Sequence, residues 1–207
     1  GAAKILFGKV YLTKGDFQKA KDKLAEVVEH ESEYGFGLHK DYHANWLRDT
    51  EAGIEAVLYI EYKEPPFQHN GEMALAGPKY SIPGSLGISA LNEADIPTQE
   101  LYDQFDNRDL RKKTNFKTEF AHLKTGEILK SSIPLSGKFW VEGLETGDRC
   151  DVNMHIIRYA DAILMYAEAL NEVGESTKAL AMLNRIRERA FGDDSGNFKP
   201  MSKDEFR

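Results

Sequence analysis

The chain has 207 residues, 41% hydrophobic, 29% charged and 11% aromatic, with a net charge of -7. These are the proportions of an ordinary globular domain with enough chain for a sizeable core, and its one cysteine, Cys150, excludes an intrachain disulfide. The negative balance argues against nonspecific DNA or RNA binding, which needs a cationic face for the phosphates, and no apolar run reaches the ~20 residues of a membrane span.

The chain opens at Gly1 already in helical rhythm, with no cap and no signal peptide before it. Residues 2–14 are a predicted helix with Ile5, Leu6, Val10 and Leu12 apolar. Gly15 breaks it, and Asp16 caps a second helix that carries Ala20, Leu24, Val27 and Val28. Residues 34–46 read as loop. Residues 56–62 read as a buried strand or a short helix, and their β-branched and aromatic content favours strand. Pro65 and Pro66 end that segment. Residues 65–97 hold five of the seven prolines and little periodicity, so they form a long irregular insertion, of the kind that is functional or disordered. Thr98 caps a short helix whose Leu101, Tyr102 and Phe105 are expected to face inward. Residues 106–114 read as a solvated charged turn. Short extended segments are expected around 115–120, 128–135 and 138–141, punctuated by glycines.

A second helical hairpin spans residues 155–191. Ile156, Ala160, Ile163, Ala167 and Leu170 form one stripe, Gly174 ends that helix, and Ser176 is placed to cap the next. Ala179, Leu180, Leu183, Ile186 and Ala190 form the second stripe. The two hairpins overlay with a constant offset of 159: Gly8, Tyr11, Gly15, Ala20, Leu24 and Val27 fall on Ala167, Leu170, Gly174, Ala179, Leu183 and Ile186. Small, large, turn glycine, small, large is a tetratricopeptide (TPR) rhythm, here split by an insertion rather than continued as a solenoid. Residues 192–197 are a polar loop. Ser202 and Glu205 have capping-box spacing, so a helix starts as the sequence stops, and the chain reads as an internal fragment of a longer protein.

Arg158-Tyr159-Ala160-Asp161, Leu164 to Glu172 (LMYAEALNE) and Leu183 to Ala190 (LNRIRERA) resemble the C-terminal signature of the SusD/RagB family. Residues 1–17 resemble its earlier TPR helix, residues 55–62 its short extended segment, and Pro97 to Leu101 with residues 106–111 its P-T-x-E-L helix and D-x-R turn. The resemblance covers nearly the whole chain. It implies a mainly α fold: TPR-like helical hairpins with long irregular loops and a few short β-strands, in a single domain over 1–207. Hairpins 1–31 and 155–191 would be the scaffold, and 32–150 the irregular glycan-site region. It further implies a non-catalytic subunit that binds an oligosaccharide or polysaccharide and delivers it to a SusC-like TonB-dependent transporter. That subunit would be a surface lipoprotein of a Bacteroidetes outer membrane, held by an N-terminal lipid anchor absent from this fragment. No cofactor and no nucleic acid is expected.

Candidate chemistry is sparse. The nucleophile-elbow, zincin, P-loop, EF-hand and C-x-x-C patterns are absent. His39 and His43 lie four apart but lack a nearby third ligand, so no metal is expected. Residues 193–197 lack the alternating ligands of a calcium loop and read as a polar turn. Asp161 and Glu168 lie two helical turns apart and would suit a glycosidase; ion pairing of Asp161 with Arg158, or plain solvation, explains them better. Arg185, Arg187 and Arg189 read as a solvated helix end. Tyr11, Tyr159, Tyr166 and Trp140 are expected to pack. Sugar rings present C–H faces that lie against aromatic rings, and the irregular stretches hold Phe67, Tyr80 and Trp46, which are therefore the candidate glycan-binding residues; no residue is assigned a catalytic role. The main alternative is a TPR-type protein-interaction scaffold with no ligand of its own.

Overall fold

The computed structural model describes residues 1–63 and 70–207. In chain order it forms α1 (Ala2–Thr13), α2 (Phe17–Val28), α3 (Glu31–Tyr34), β1 (Ala56–Ile60), α4 (Glu72–Ala76), α5 (Gln99–Gln104) and α6 (Lys112–Asn115). Then follow β2 (Phe116–Ala121), β3 (Ile128–Ser136), β4 (Met154–Arg158), α7 (Tyr159–Glu172), α8 (Ser176–Phe191) and α9 (Lys203–Phe206). The fold is mainly α with few short strands, as the sequence predicts. By contact the chain divides into one unit of Gly1–Asp41, Ala52–Tyr59 and His155–Arg207, and another of Tyr42–Glu51 and Ile60–Met154. No helix among the described residues is long and apolar enough to cross a membrane.

In the first unit the two hairpins, distant in sequence, stack directly: α1 packs on α2, α2 on α7, and α7 on α8. The small residues make this approach possible. A Cβ at Gly8 would stand 2.4 Å from Leu24 Cγ, and Ala20 and Ala179 are fully buried. Gly15 (φ 75°) and Gly174 (φ 87°) turn the chain in the left-handed region. Asp16 caps α2 by accepting from the Lys19 N–H. Ser176 does not cap α8: Glu175 holds that position, and the Ser176 hydroxyl donates instead to Asn171 Oδ1 at 2.9 Å. Ile5, Leu24, Val27, Ile163, Leu170 and Ile186 form the core seam. Leu6 and Val10, expected to share it, remain exposed, because α1 has the other elements against only one face.

Tyr159 and Tyr166 are buried in this core, and each hydroxyl reaches a carboxylate on the far hairpin, Glu31 and Glu29 respectively. Burial, then the hydrogen bond to Glu29, pushes the Tyr166 phenol up to about 12. Tyr11 is only half-buried. Ile156 lies in β4, paired with β1, and not on the helix predicted for it. Arg158 pairs with Glu55 rather than with Asp161, at 2.6 Å, and Arg189 meets the same carboxylate at 2.9 Å. Glu55 is fully buried and Arg189 nearly so. Arg185 pairs with Glu31 at 2.7 Å, and Arg187 lies over the Phe198 ring. The expected solvated helix end is therefore a set of tertiary contacts: the guanidinium stems are long enough to reach across the bundle.

The second unit holds two small cores. Tyr42, Trp46, Met73, Cys150 and Val152 make one; Ile82, Leu86, Leu91, Phe120 and Leu135 make the other. β2 and β3 form an antiparallel hairpin whose register jumps from Lys117↔Leu135 to Glu119↔Lys130, so the Ser131–Pro134 part of β3 leaves the ladder. Ser132 N–H instead donates to Ser81 O at 2.9 Å, which ties the irregular segment to the hairpin. Residues 138–141 form no strand; Trp140 packs edge-on against Phe120. Thr98 caps α5 as predicted, but Leu101 is exposed rather than inward. The charged turn is also less solvated than expected. Asp109 is buried and takes a forked pair of bonds from Arg111, while Asp106 does the same with Arg108.

Candidate functional site

Three aromatic residues were singled out by the sequence, and the structure places them differently. Tyr80 projects from the irregular segment with 76% of its surface exposed. Trp46 is 6% exposed, on a 3-10 turn, edge-on to Tyr42 at 4.6 Å between centroids. Phe67, like Pro65 and Pro66, lies outside the described residues.

The segment that carries Tyr80 is irregular but tightly held. Glu93 Oε2 accepts the successive backbone N–H groups of Lys79, Tyr80 and Ser81 at 2.6, 2.7 and 2.9 Å, and the Ser81 hydroxyl at 3.0 Å. Burial pushes the Glu93 carboxyl up, but these donors outweigh it and hold the group below the usual carboxylate range. Glu93 itself is in the left-handed region (φ 52°), as is Ala90 (φ 59°). Such backbone costs about 1–3 kcal/mol per residue and persists where its surroundings fix it. The fixing bonds are visible: Asn92, Glu93 and Ala94 donate to Ala74 O, Gly77 O and Leu75 O. Residues 90–95 thus wrap the end of α4, where a Cβ on Gly77 would stand 2.4 Å from Leu91.

The result is an exposed ring on a rigid mount. Lys79 Nζ stands 5.3 Å from the Tyr80 ring centroid, and a depression of about 220 Å³ beside it is lined by Pro78, Lys79, Ile82, Ser85 and Leu86, among others. The arrangement offers an apolar flat face, a cation and the exposed Ser85 hydroxyl. Among the described residues it contains no nucleophile–base pair. Glu93 and Lys79 are the residues that sequence reasoning missed. A carboxylate that gathers amides across a loop has no periodic signature, and Asp95, two residues on, gives nothing in the sequence to single out Glu93.

The other candidate groups stay apart from such an arrangement. Asp161 and Glu168 are both exposed on α7, and the depression of about 260 Å³ that Glu168 lines with Glu172 and Arg207 does not include Asp161. Glu172 is ion-paired with Arg207 at 2.7 Å and Lys203 at 3.1 Å. His39 lies beside Glu55, to which its backbone N–H donates at 3.2 Å. Among the described residues no three His, Cys, Asp or Glu side chains are grouped as a metal site would require. Asp193 caps a short 3-10 turn through the Ser195 N–H. Cys150 is fully buried, and burial pushes its thiol up to about 11, so it is no nucleophile.

Comparison with known proteins gives this geometry a context. Residues 132–207 match the SusD family. SusD-like protein P2 of Formosa agariphila is 29% identical over 219 aligned positions, covering 93% of this chain and 41% of the relative. A SusD superfamily protein of Parabacteroides distasonis superposes with a TM-score of 0.82 at 24% identity, over 98% of this chain and 46% of the other. Surface glycan-binding protein A of Bacteroides thetaiotaomicron, solved in complex with laminarihexaose, superposes with a TM-score of 0.70 at 17% identity, over 96% and 48%. The two structural likenesses are ones of fold. The chain spans less than half the length of each of these relatives.

Proposed function

We propose that the chain, whose residues 132–207 match the SusD family, is a SusD/RagB-type protein that binds glycan without catalysis, as the capture subunit of a nutrient-uptake system. The observation that carries the reading is Tyr80: a ring 76% exposed, on a loop whose three successive amides are gathered by one carboxylate. Exposed aromatic rings on fixed backbone are what a sugar's C–H face needs, since little conformational freedom remains to be lost on binding. Lys79 and the Ser85 hydroxyl of the neighbouring depression supply hydrogen-bond donors for the sugar oxygens. Phe67 is proposed as a second platform. Trp46, held inside its core, is proposed to act on the site only by supporting the segment around it.

Around this site the proposal is completed from the family: an outer-membrane surface lipoprotein, capturing an oligosaccharide and releasing it to a SusC-like TonB-dependent transporter. The separation of Asp161 from the depression at Glu168 supports this reading over a glycosidase that uses the two carboxylates. Calorimetric titration against plant, host and microbial oligosaccharides tests the reading. At least one class is expected to bind, with Tyr80→Ala weakening it tenfold or more, the size of effect seen when an aromatic anchor is truncated. Wild-type affinity in Tyr80→Ala would displace the site; binding to none of the glycans would overturn the function in favour of a protein-interaction scaffold.

A further inference from the structure

A second depression, of about 400 Å³, lies where α5, α6 and β2 meet. It is lined by three lysines, Lys112, Lys113 and Lys117, with Tyr102 and Asn107 beside them. In a chain of net charge -7 such a concentration of cations is unusual. Two carboxylates also line it. Asp109, only 6% exposed, is held by Arg111 at 2.6 Å; Glu119 meets Lys130 at 3.2 Å in an exposed surface pair worth little, which leaves one carboxylate against the three lysines.

The lysines are not cancelled in the same way. Lys112 Nζ donates to Phe105 O at 3.1 Å and Asn107 Oδ1 at 2.9 Å, which are neutral groups that fix the ammonium without neutralising it. Lys117 pairs with the exposed Glu142 at 3.0 Å and its ammonium stands 5.3 Å from the Phe120 ring centroid, so it adds charge at the margin of the depression while Lys112 and Lys113 carry the centre. Lys113 is exposed and makes no ion pair among the described residues. The depression therefore presents an excess of positive charge. Its floor is aromatic: Lys112 Nζ stands 4.4 Å from the Tyr102 ring centroid, and Tyr102 packs edge-on against Phe116 at 5.3 Å.

We propose that this depression binds an anionic sugar residue, carboxylated or sulfated, within an oligosaccharide chain. The proposal rests on the glycan-binding reading above. The lysine ammonium groups meet the acid group, Tyr102 offers its ring to the sugar's C–H face, and Asn107 and Thr118 are within the lining for the hydroxyls. Simple anion storage would not call for the ring; a neutral sugar would not call for the lysines.

The test is a titration of the protein with four probes: a hexauronate, a sulfated hexasaccharide, the neutral laminarihexaose, and inorganic sulfate. At least one acidic hexasaccharide is expected to bind tenfold or more tighter than the neutral one, with the preference shrinking as salt is raised; whichever acidic probe responds names the acid group. Lys113→Glu, at an exposed position where folding is not at stake, is expected to remove most of that preference. Equal affinity for acidic and neutral chains, or an unchanged preference in Lys113→Glu, overturns the anionic site while glycan binding stands. Inorganic sulfate binding as tightly as the acidic sugars overturns the sugar assignment. Failure of every glycan to bind overturns both readings together.

Discussion

Glu93 shows how much one side chain does in the irregular region. Its carboxylate replaces the missing secondary structure for Lys79, Tyr80 and Ser81, satisfying three amides that a helix or sheet would otherwise pair. Charge-assisted bonds of this kind are about twice as strong as neutral ones. Glu93→Ala is expected to raise amide exchange at Lys79–Ser81 selectively and to weaken glycan binding with Tyr80 still present, as a hydrogen-exchange map paired with a titration would show. The pH behaviour follows from the lowered carboxyl. A carboxylate whose folded-state pKa is depressed contributes its stability fully above about 4.5, its ordinary value, and loses it as pH falls through the depressed value. The Tyr80 mount therefore loosens on acidification below that point, and not between pH 5 and 8. Glu55 is a different case: its buried carboxylate joins Arg158 and Arg189, which fixes how β1, β4 and α8 meet while adding little net stability over an apolar substitute.

At the level of elements, the hairpin stack depends on close approach. Gly8→Ala would place a methyl group 2.4 Å from Leu24 Cγ, a fully buried and backbone-anchored branch point. The gain in helix propensity is about 1 kcal/mol, and the overpacking costs about 1–3 kcal/mol. The clash is expected to win, lowering stability by about 1 kcal/mol in a denaturant titration, with Leu24→Ala recovering part of the loss in the double variant; additive losses would count against it. These hairpins were legible in the sequence because their small and large residues repeat at helical spacing with a turn glycine between. β4 was not legible. Ile156 and Ile157 are adjacent apolar residues that fit either period, and only pairing with β1, about a hundred residues earlier, decides for strand. The arginines of α8 misled for a related reason, since nothing local announces that Glu31 and Glu55 lie within reach. Tyr80 was legible as an aromatic residue stranded in a Pro-rich segment; its clasp was not, because residue 93 meets residues 79–81 through loop geometry that leaves no pattern. The cationic depression was split between what reads as a helix, a charged turn and a strand, so its three lysines never appeared together.

The whole molecule carries a pH asymmetry. In the second unit Glu51 is buried, and burial pushes its carboxyl up to about 7, with the Asn153 N–H opposing, Asp151 adding and Arg48 opposing. A raised carboxyl contributes stability that is fully present below its unfolded value of about 4.5 and is lost as pH rises through about 7. Both tryptophans, Trp46 and Trp140, belong to this unit. The unfolding free energy from urea titration read by tryptophan fluorescence should therefore fall between pH 5 and pH 8, by on the order of 2–3 kcal/mol, and Glu51→Gln should flatten the slope. An unchanged slope in Glu51→Gln would assign the effect elsewhere. The stacking of α2 on α7 has a further consequence, in time rather than in energy. Val28 and Tyr159 bond across 131 residues of chain. At synthesis rates of roughly 5–20 residues per second, the first hairpin leaves the ribosome about 7–26 s before its partner exists. For that interval the face of α2 that meets α7 has no surface to close against, although α1 already covers Leu24. The nascent hairpin must wait as a marginal, sticky intermediate, and its fate in the cell depends on what shields it until α7 arrives.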